Sequence, residues 1–249
     1  MDERTRHRGA TTVVMAIAWL LLAAGCASPP ARGPGPESGT EAQAPSFPTA
    51  YYQARAGSGQ VYRLRPEDSR IAIHAYRAGA LAAQGHNHVI VAEQFQGAVH
   101  LPDGRPADGR LDLLIPAAAL AVDPPQVRQA LGGGFARPLS EQARRDTGAN
   151  MLGEAVLDAA RFPDIGIRST AVAGELPELA LTLQVTLRGV AREQLVPVRV
   201  EVDGDRLLAR GALAIRQSDF GIQPFRAAGG LLQVADEVTV RFELVGHSE

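Results

Sequence analysis

Three histidines are the residues of this chain best suited to bind a metal or a polar ligand. His86 and His88 stand two positions apart in a Gly-His-Asn-His run, and His74 lies in the alternating stretch that precedes it. Side chains two apart on a strand share one face, and a hairpin would place His74 beside them. The pattern predicts a transition-metal or redox-partner site of three imidazoles. A hydrogen-bond donor to a ligand head group and a solvated hairpin tip are the alternatives.

The single cysteine, Cys26, indicates a second kind of chemistry. It follows a start with three arginines and an apolar run over residues 13–24, which is too short for a membrane span and fits a signal-peptide core. Small residues directly before Cys26 resemble a lipobox, so residues 1–25 are predicted to be a lipoprotein signal peptide and Cys26 the lipidated residue. An ordinary signal peptide is the alternative. Several acyl chains would anchor the protein stably to a membrane.

The residue after the cysteine indicates where such an anchor would lie. Ala27 stands at the position where an aspartate is often linked to inner-membrane retention. We therefore expect a location in the cell envelope, at the outer membrane and facing the periplasm.

The composition excludes several functional classes. The formal net charge is −2, which gives no electrostatic basis for binding nucleic acid. All 25 basic residues are arginine, so the chain has neither a Schiff-base lysine nor a Walker A lysine. One cysteine allows no intrachain disulfide, and no G-x-S-x-G motif is present. The sequence therefore predicts a protein that is not an enzyme, and it makes no prediction of oligomeric state.

The chain after the predicted signal peptide divides into a tether and one domain. Residues 26–59 are rich in Pro, Gly and Ala and are predicted to be flexible because they contain too little apolar surface to fold. Tyr51 and Tyr52 are the first residues suited to contact a folded domain. Residues 60–249 are predicted to form that domain.

Alternation of apolar and polar residues dominates the domain. It is clearest over residues 181–188, 196–203, 207–215 and 238–244, and we count eight or nine such strands. Short turns between them favour an antiparallel barrel or a sandwich. One segment differs, because Ser140 can cap a helix that runs from Glu141 to Leu152 and covers one end of a barrel.

Three motif regions in the second half give a family resemblance. They are residues 156–163 (VLDAARFP), 187–198 (LRGVAR followed by Val-Pro-Val) and 215–238 (IRQSDFGI followed by VADEV). Their order and spacing resemble the YceI-like, polyisoprenoid-binding, lipocalin-like family over residues 62–245. The resemblance implies an all-β fold: a single lipocalin-like antiparallel barrel of about eight strands, with a helical segment capping one end. It also implies export, and in some members an isoprenoid chain inside the barrel.

Several positions depart from the family pattern. Asp68-Ser69 replaces His-Ser, and Gln217 stands where an arginine is typical. Gly85 is followed by His86-Asn87-His88 rather than by the usual Gly-x-Phe. These departures indicate a divergent branch, whose ligand need not be the usual one of the family.

The resemblance and the apolar strand faces together predict an interior binding site. The expected ligand is a hydrophobic small molecule, either a polyisoprenoid or a quinone-like lipid, and the chain itself would reach the membrane through its lipid anchor. The candidate ligand-binding residues are Leu183, Val185, Leu213, Phe220 and Phe242. The alternative is an envelope structural protein in which the same side chains fill an ordinary core.

Overall fold

The computed structural model describes residues 43–55, 57–103 and 105–248, and in these ranges the chain is mostly β-strand. The three α-helices are α1 (Thr49–Gln53), α2 (Pro125–Leu131) and α3 (Glu141–Leu152). The strands are β1 (Gln60–Leu64), β2 (Arg70–Ala78), β3 (His88–Ala92), β4 (Gln96–Leu101), β5 (Arg110–Pro116), β6 (Leu120–Val122), β7 (Asp164–Glu175), β8 (Glu178–Leu187), β9 (Val190–Asp203), β10 (Arg206–Arg216), β11 (Arg226–Ala227) and β12 (Leu232–Ser248). No helix among the described residues has the length and hydropathy of a membrane span.

Eight antiparallel strands close into a barrel. Their order is β1-β4-β5-β7-β8-β9-β10-β12, and β12 returns to pair with β1 through Tyr62 and Ser248. Closure satisfies the backbone hydrogen bonds that an open sheet would leave at its two edges. The predicted single antiparallel barrel of about eight strands is confirmed.

Strand β12 carries two partners on one of its edges. Its 17 residues pair with β10 along one side, while on the other side β2 pairs with Gln233–Glu243 and β1 pairs with Gly246–Ser248. Strands β3 and β6 continue from β2. Because β1 and β2 share the same edge, the sheet β2-β3-β6 extends the wall beyond the end of the closed barrel.

The barrel interior follows directly from the alternation in the sequence. On β8 the residues Leu181, Leu183 and Val185 are buried, and the intervening Thr182 and Gln184 are less so. Leu181 and Leu183 join an apolar cluster that includes Val196, and Val185 joins a second cluster with Phe220. Each buried apolar Å² stabilises the fold by roughly 25 cal/mol, so the alternation fixes which face of each strand turns inward.

Helix α3 covers one end of the barrel, as the sequence predicted. Ser140 caps it, because its Oγ accepts a hydrogen bond from the Ala143 N–H at 3.1 Å. Four of its residues, Asp146, Thr147, Asn150 and Met151, reach the interior space described below.

The segment before the barrel is docked on the outside wall rather than forming a free tether. The Tyr52 hydroxyl in α1 lies 3.0 Å from the Ala98 carbonyl oxygen and 2.8 Å from the Asp112 carboxylate, and the side chain is 1% exposed. Pro45 packs against Gly166 of β7, which leaves no room there for a Cβ atom. The predicted flexible segment 26–59 is therefore corrected in its second part, because the tyrosine buries apolar area and makes hydrogen bonds.

Candidate functional site

An apolar cavity of about 370 Å³ lies between the capped end of the barrel and the extended wall. Cavities of about 150 Å³ already bind benzene in proteins, so this one holds a larger apolar group. The residues that line it are Ile71, Ile73, Ala75, His88, Ile90, Leu111, Leu113, Ile115, Leu120, Asp146, Thr147, Asn150, Met151, Val156, Leu157, Ile165, Ile167, Leu183, Val185, Leu187, Leu213, Ile215, Gln217, Ile222, Phe225, Val234, Val238, Val240, Phe242 and Leu244.

The structure places four of the five candidate ligand-binding residues around this cavity. Leu183, Val185, Leu213 and Phe242 are among the lining side chains. Phe220 is not: it belongs to a short 3-10 turn that follows β10 and packs behind the lining, in the buried cluster that also contains Val185. Sequence alternation located the first four because they lie on strands, whereas Phe220 lies outside the strand period.

Polar groups are few and stand mainly on α3. Asp146, Thr147 and Asn150 contribute from this helix, Gln217 from the turn after β10, and His88 from the start of β3. Gln217 is already engaged, since its Nε2 donates to the Ala235 carbonyl oxygen at 2.8 Å. Asp146 is the one charged side chain, other than histidine, among the described lining residues.

His88 is held by a buried carboxylate. Its Nδ1 lies 2.6 Å from Asp123 Oδ2, and Asp123 is completely buried. The other carboxylate oxygen accepts from the Val89 N–H at 3.0 Å and from Arg128 Nη1 at 2.6 Å. The Asp123 carboxylate thus fixes the orientation of the His88 imidazole, and the Arg128 guanidinium balances the negative charge of that carboxylate.

Electrostatics keeps Asp123 ionised. Burial by itself would raise the pKa of this carboxyl, but the hydrogen bonds from His88, Val89 and Arg128 outweigh burial and hold its pKa below the ordinary value. Arg128 in turn donates to the carbonyl oxygens of Asn87 at 2.7 Å and Arg137 at 3.0 Å. We call His88, Asp123 and Arg128 the His88 cluster.

The predicted convergence of three histidines is wrong. Ala75 on β2 pairs directly with His88 on β3, so both side chains project to the cavity face. His74 is adjacent to Ala75 and therefore projects to the opposite face. There its ring meets Phe135 edge-on at 5.6 Å between centroids, and its Nδ1 lies 3.4 Å from the Thr239 carbonyl oxygen.

The other two histidines have lowered pKa values. Burial, with the nearby Arg241 charge, lowers the pKa of His74. Burial and the charge of Arg137 likewise lower the pKa of His86, whose ring centroid lies 6.5 Å from that of His88. Among the described residues no group of three His, Cys, Asp or Glu side chains is arranged to hold a metal ion.

Sequence reasoning missed Asp123 and Arg128. Asp123 stands 35 positions after His88, at the end of β6, and its backbone has φ 52°. The Asp-Pro-Pro run that follows β6 indicates a turn into a helix, and nothing local links it to a histidine on another strand. The pairing of β3 with β6 creates the contact.

Comparison with known proteins agrees with this architecture. The family model described as "YceI-like domain" matches residues 62–246. A crystal structure of Burkholderia cenocepacia BcnA is similar, with a TM-score of 0.55 and 19% identity over 73% of this chain and 98% of that one. A polyisoprenoid binding domain from Saccharophagus degradans, implicated in plant cell wall breakdown, has a TM-score of 0.52 and 12% identity over 76% of this chain and 99% of that one. At these identities the two structures establish a shared fold. The search of curated proteins gave no significant match.

Proposed function

Because the chain belongs to the YceI-like domain family, we propose that it binds a hydrophobic small molecule inside its barrel and carries or stores it without catalysis. The proposed ligand is a polyisoprenoid or a quinone-like lipid. The observation that carries this proposal is the cavity of about 370 Å³, whose described lining is mainly apolar.

The physical basis is the burial of a chain of methylene and methyl groups. Aliphatic walls such as Ile115, Ile167 and Val240 offer no hydrogen bonds, so they favour a ligand that needs none. Transfer of such a tail from water is favourable by roughly 25 cal/mol per Å² of buried apolar surface. A structural protein with a filled barrel would have no use for an interior space of this size, since protein interiors are normally close-packed.

The Saccharophagus degradans structure is described as a polyisoprenoid binding domain, and this supports the choice of ligand class. That binding is a property of the Saccharophagus domain, and the shared fold supports the same ligand class for this chain. The metal-binding alternative has less support, because His74 lies on the opposite sheet face from His88.

Addition of farnesol to the full chain, first freed of bound lipid by solvent extraction, is expected to raise its unfolding temperature. A ligand present at about 100 times its Kd stabilises the native state by about 2.7 kcal/mol. For a domain of this size that corresponds to a rise in Tm of roughly 5–10 °C. Differential scanning calorimetry measures it, with glycerol as the polar control. An unchanged Tm up to the solubility limit of farnesol would contradict ligand binding.

We further propose that the protein is a lipoprotein of the cell envelope, anchored through Cys26 at the outer membrane and facing the periplasm. Cys26 and the preceding signal sequence lie outside the described residues, and the support for this proposal is the sequence pattern alone. The docked segment that begins near Pro45 would leave residues 26–42 as the link between the anchor and the barrel.

Cys26→Ser is expected to move the protein from the membrane fraction to the soluble fraction. Each methylene of an acyl chain contributes roughly 0.8 kcal/mol to membrane binding, so loss of the chains removes stable anchoring. Cell fractionation followed by immunoblotting measures the distribution, and Ser28→Ala is the matched control. A wild-type protein that is already soluble, or a Cys26→Ser variant that stays in the membrane, would refute the anchor.

A further inference from the structure

We propose that the cavity selects a lipid with a neutral, hydrogen-donating head group, such as a long-chain alcohol, and that His88 Nε2 accepts the hydrogen bond from that head. This inference rests on the proposed function and specifies the polar end of its ligand: of the two lipid classes proposed, it favours a polyisoprenoid alcohol over a quinone. It differs from the expectation drawn from sequence, in which a histidine donates to the head group.

The tautomer of His88 follows from its partner. An ionised carboxylate only accepts hydrogen bonds, so the Asp123 Oδ2 atom at 2.6 Å requires a proton on His88 Nδ1. In a neutral imidazole the other nitrogen is then unprotonated and is an acceptor. Arg128 and the Val89 N–H both donate to Asp123 Oδ1. These hydrogen bonds fix the carboxylate, so that Oδ2 stays against His88 Nδ1.

The unprotonated nitrogen, Nε2, belongs to a side chain that lines the cavity. His88 lines the cavity together with Ala75 and Ile90, which lie next to it on the same face of the extended sheet. Among the described residues no side chain or backbone group donates a hydrogen bond to His88 Nε2. A ligand that brings a donor to this point makes a hydrogen bond with an oriented acceptor in an apolar setting.

The charges around the cavity disfavour an anionic head. None of the described lining residues is an arginine, and the chain contains no lysine. Arg128 is committed to Asp123 and to two backbone carbonyls. Asp146, which is exposed on α3 and accepts from Gln142 Nε2 at 2.7 Å, is the charged lining residue, and its carboxylate would repel a phosphate or a diphosphate.

A carbonyl head is disfavoured for a different reason. A quinone or an aldehyde presents only acceptor oxygens, which cannot pair with the acceptor nitrogen of His88. A hydroxyl presents a donor, and it can accept from the Asn150 amide on α3 if the head is turned in that direction, whereas the Thr147 hydroxyl already donates to the Ala143 carbonyl oxygen at 2.8 Å. The alcohol is therefore the head group that the lining matches.

The test compares two ligands that share a tail and differ in the head, farnesol and farnesal, by isothermal titration of the full chain. The wild type is expected to bind farnesol roughly 3–10-fold more tightly, as one net hydrogen bond gives. His88→Phe is expected to bind both ligands with a ratio near one. His86→Phe is the matched control, because His86 is outside the described lining, and it is expected to keep the preference.

A second variant tests the tautomer argument. In Asp123→Asn the amide oxygen can replace the oxygen that accepts from Arg128 and Val89, so the amide nitrogen faces His88 Nδ1 and donates to it. The proton of the imidazole then moves to Nε2, which becomes a donor. The preference for farnesol is expected to fall to one or to reverse in favour of farnesal. If this variant does not fold, the comparison of the wild type with His88→Phe still decides the matter.

The outcomes separate the two proposals. If the wild type binds neither ligand, the proposed function fails and the inference fails with it. Equal binding of farnesol and farnesal by the wild type overturns the inference alone, and so does a preference for farnesol that survives in His88→Phe. Tighter binding of farnesyl phosphate than of farnesol would also overturn it, because the cavity would then select an anion.

Discussion

Leu213→Trp is expected to abolish isoprenoid binding while leaving the barrel folded. Leu213 lies on β10, lines the cavity and is half-buried. The added volume of the indole has open cavity in front of it, so it competes with the ligand without straining a close-packed core. Leu183 and Val185 also line the cavity, but they are 3% and 5% exposed, and enlarging either would combine blocking with core strain. Titration with farnesol measures the loss, which is expected to exceed about 100-fold.

The adjacent residue supplies the matched control. Ala212 is exposed on the outer face of the same strand, so Ala212→Trp adds the same indole without entering the cavity. We expect its farnesol affinity to stay within about twofold of the wild type, since outer-face substitutions rarely change the interior. Equal affinities for the two variants would contradict an interior binding site at β10.

Asp123→Ala is expected to lower the free energy of unfolding by about 3–5 kcal/mol, since it breaks a buried ion pair from one side. Asp123 is fully buried and Arg128 is 4% exposed, so loss of the carboxylate leaves a guanidinium charge without its partner inside the protein. The substitution also removes the acceptors of the Val89 N–H and of His88. Urea unfolding followed by circular dichroism measures the change as a shift in midpoint at constant slope.

A surface pair provides the comparison for this variant. Asp108 pairs with Arg105 at 3.1 Å, and both side chains are more than half exposed. Solvent screens such pairs, so Asp108→Ala is expected to cost about 1 kcal/mol or less. If Asp123→Ala lowers the free energy of unfolding by no more than Asp108→Ala does, the His88 cluster does not stabilise the fold.

The closed barrel could be predicted from the sequence because its strands have one face towards solvent and one face buried in the barrel. On β8 and β10 this difference appears as strict alternation through Leu183 and Leu213. The alternation locates the inward positions one by one, and four of the candidate ligand-binding residues line the cavity for this reason. The cap of α3 was equally readable, since Ser140 is an N-cap signal within the local sequence.

The extended wall formed by β2, β3 and β6 was not predicted, because apolar and polar residues do not alternate along β3. Val89 is covered by Phe135 on the outer face, while Ile90 faces the cavity, so both faces of the strand are buried. A short strand buried on both sides is a continuous apolar run without a period. The His88 cluster could not be predicted from the sequence for a related reason. His88 and Asp123 meet through strand pairing over a long sequence separation, which leaves no local signature.

Docking of the segment before β1 also depends on distant partners. Tyr52 is bound by Asp112 of β5, which Arg110 and Arg168 also bind at 2.6 Å and 2.9 Å. A proline-rich composition describes residues 26–59 on average and predicts a flexible tether. It does not register a single tyrosine whose hydroxyl matches a carboxylate elsewhere on the barrel, and that match orders the end of the segment.

Native mass spectrometry of the full protein, purified without chelator and released from detergent micelles in the gas phase, tests the central claim that the barrel carries a hydrophobic ligand. We predict an added mass that organic solvent removes and that farnesol restores after extraction. A mass equal to that of the covalent protein alone, with no uptake of isoprenoid, would contradict the account, because the cavity would then have no lipid ligand. An added mass equal to one transition-metal ion, with no lipid, would contradict it as well.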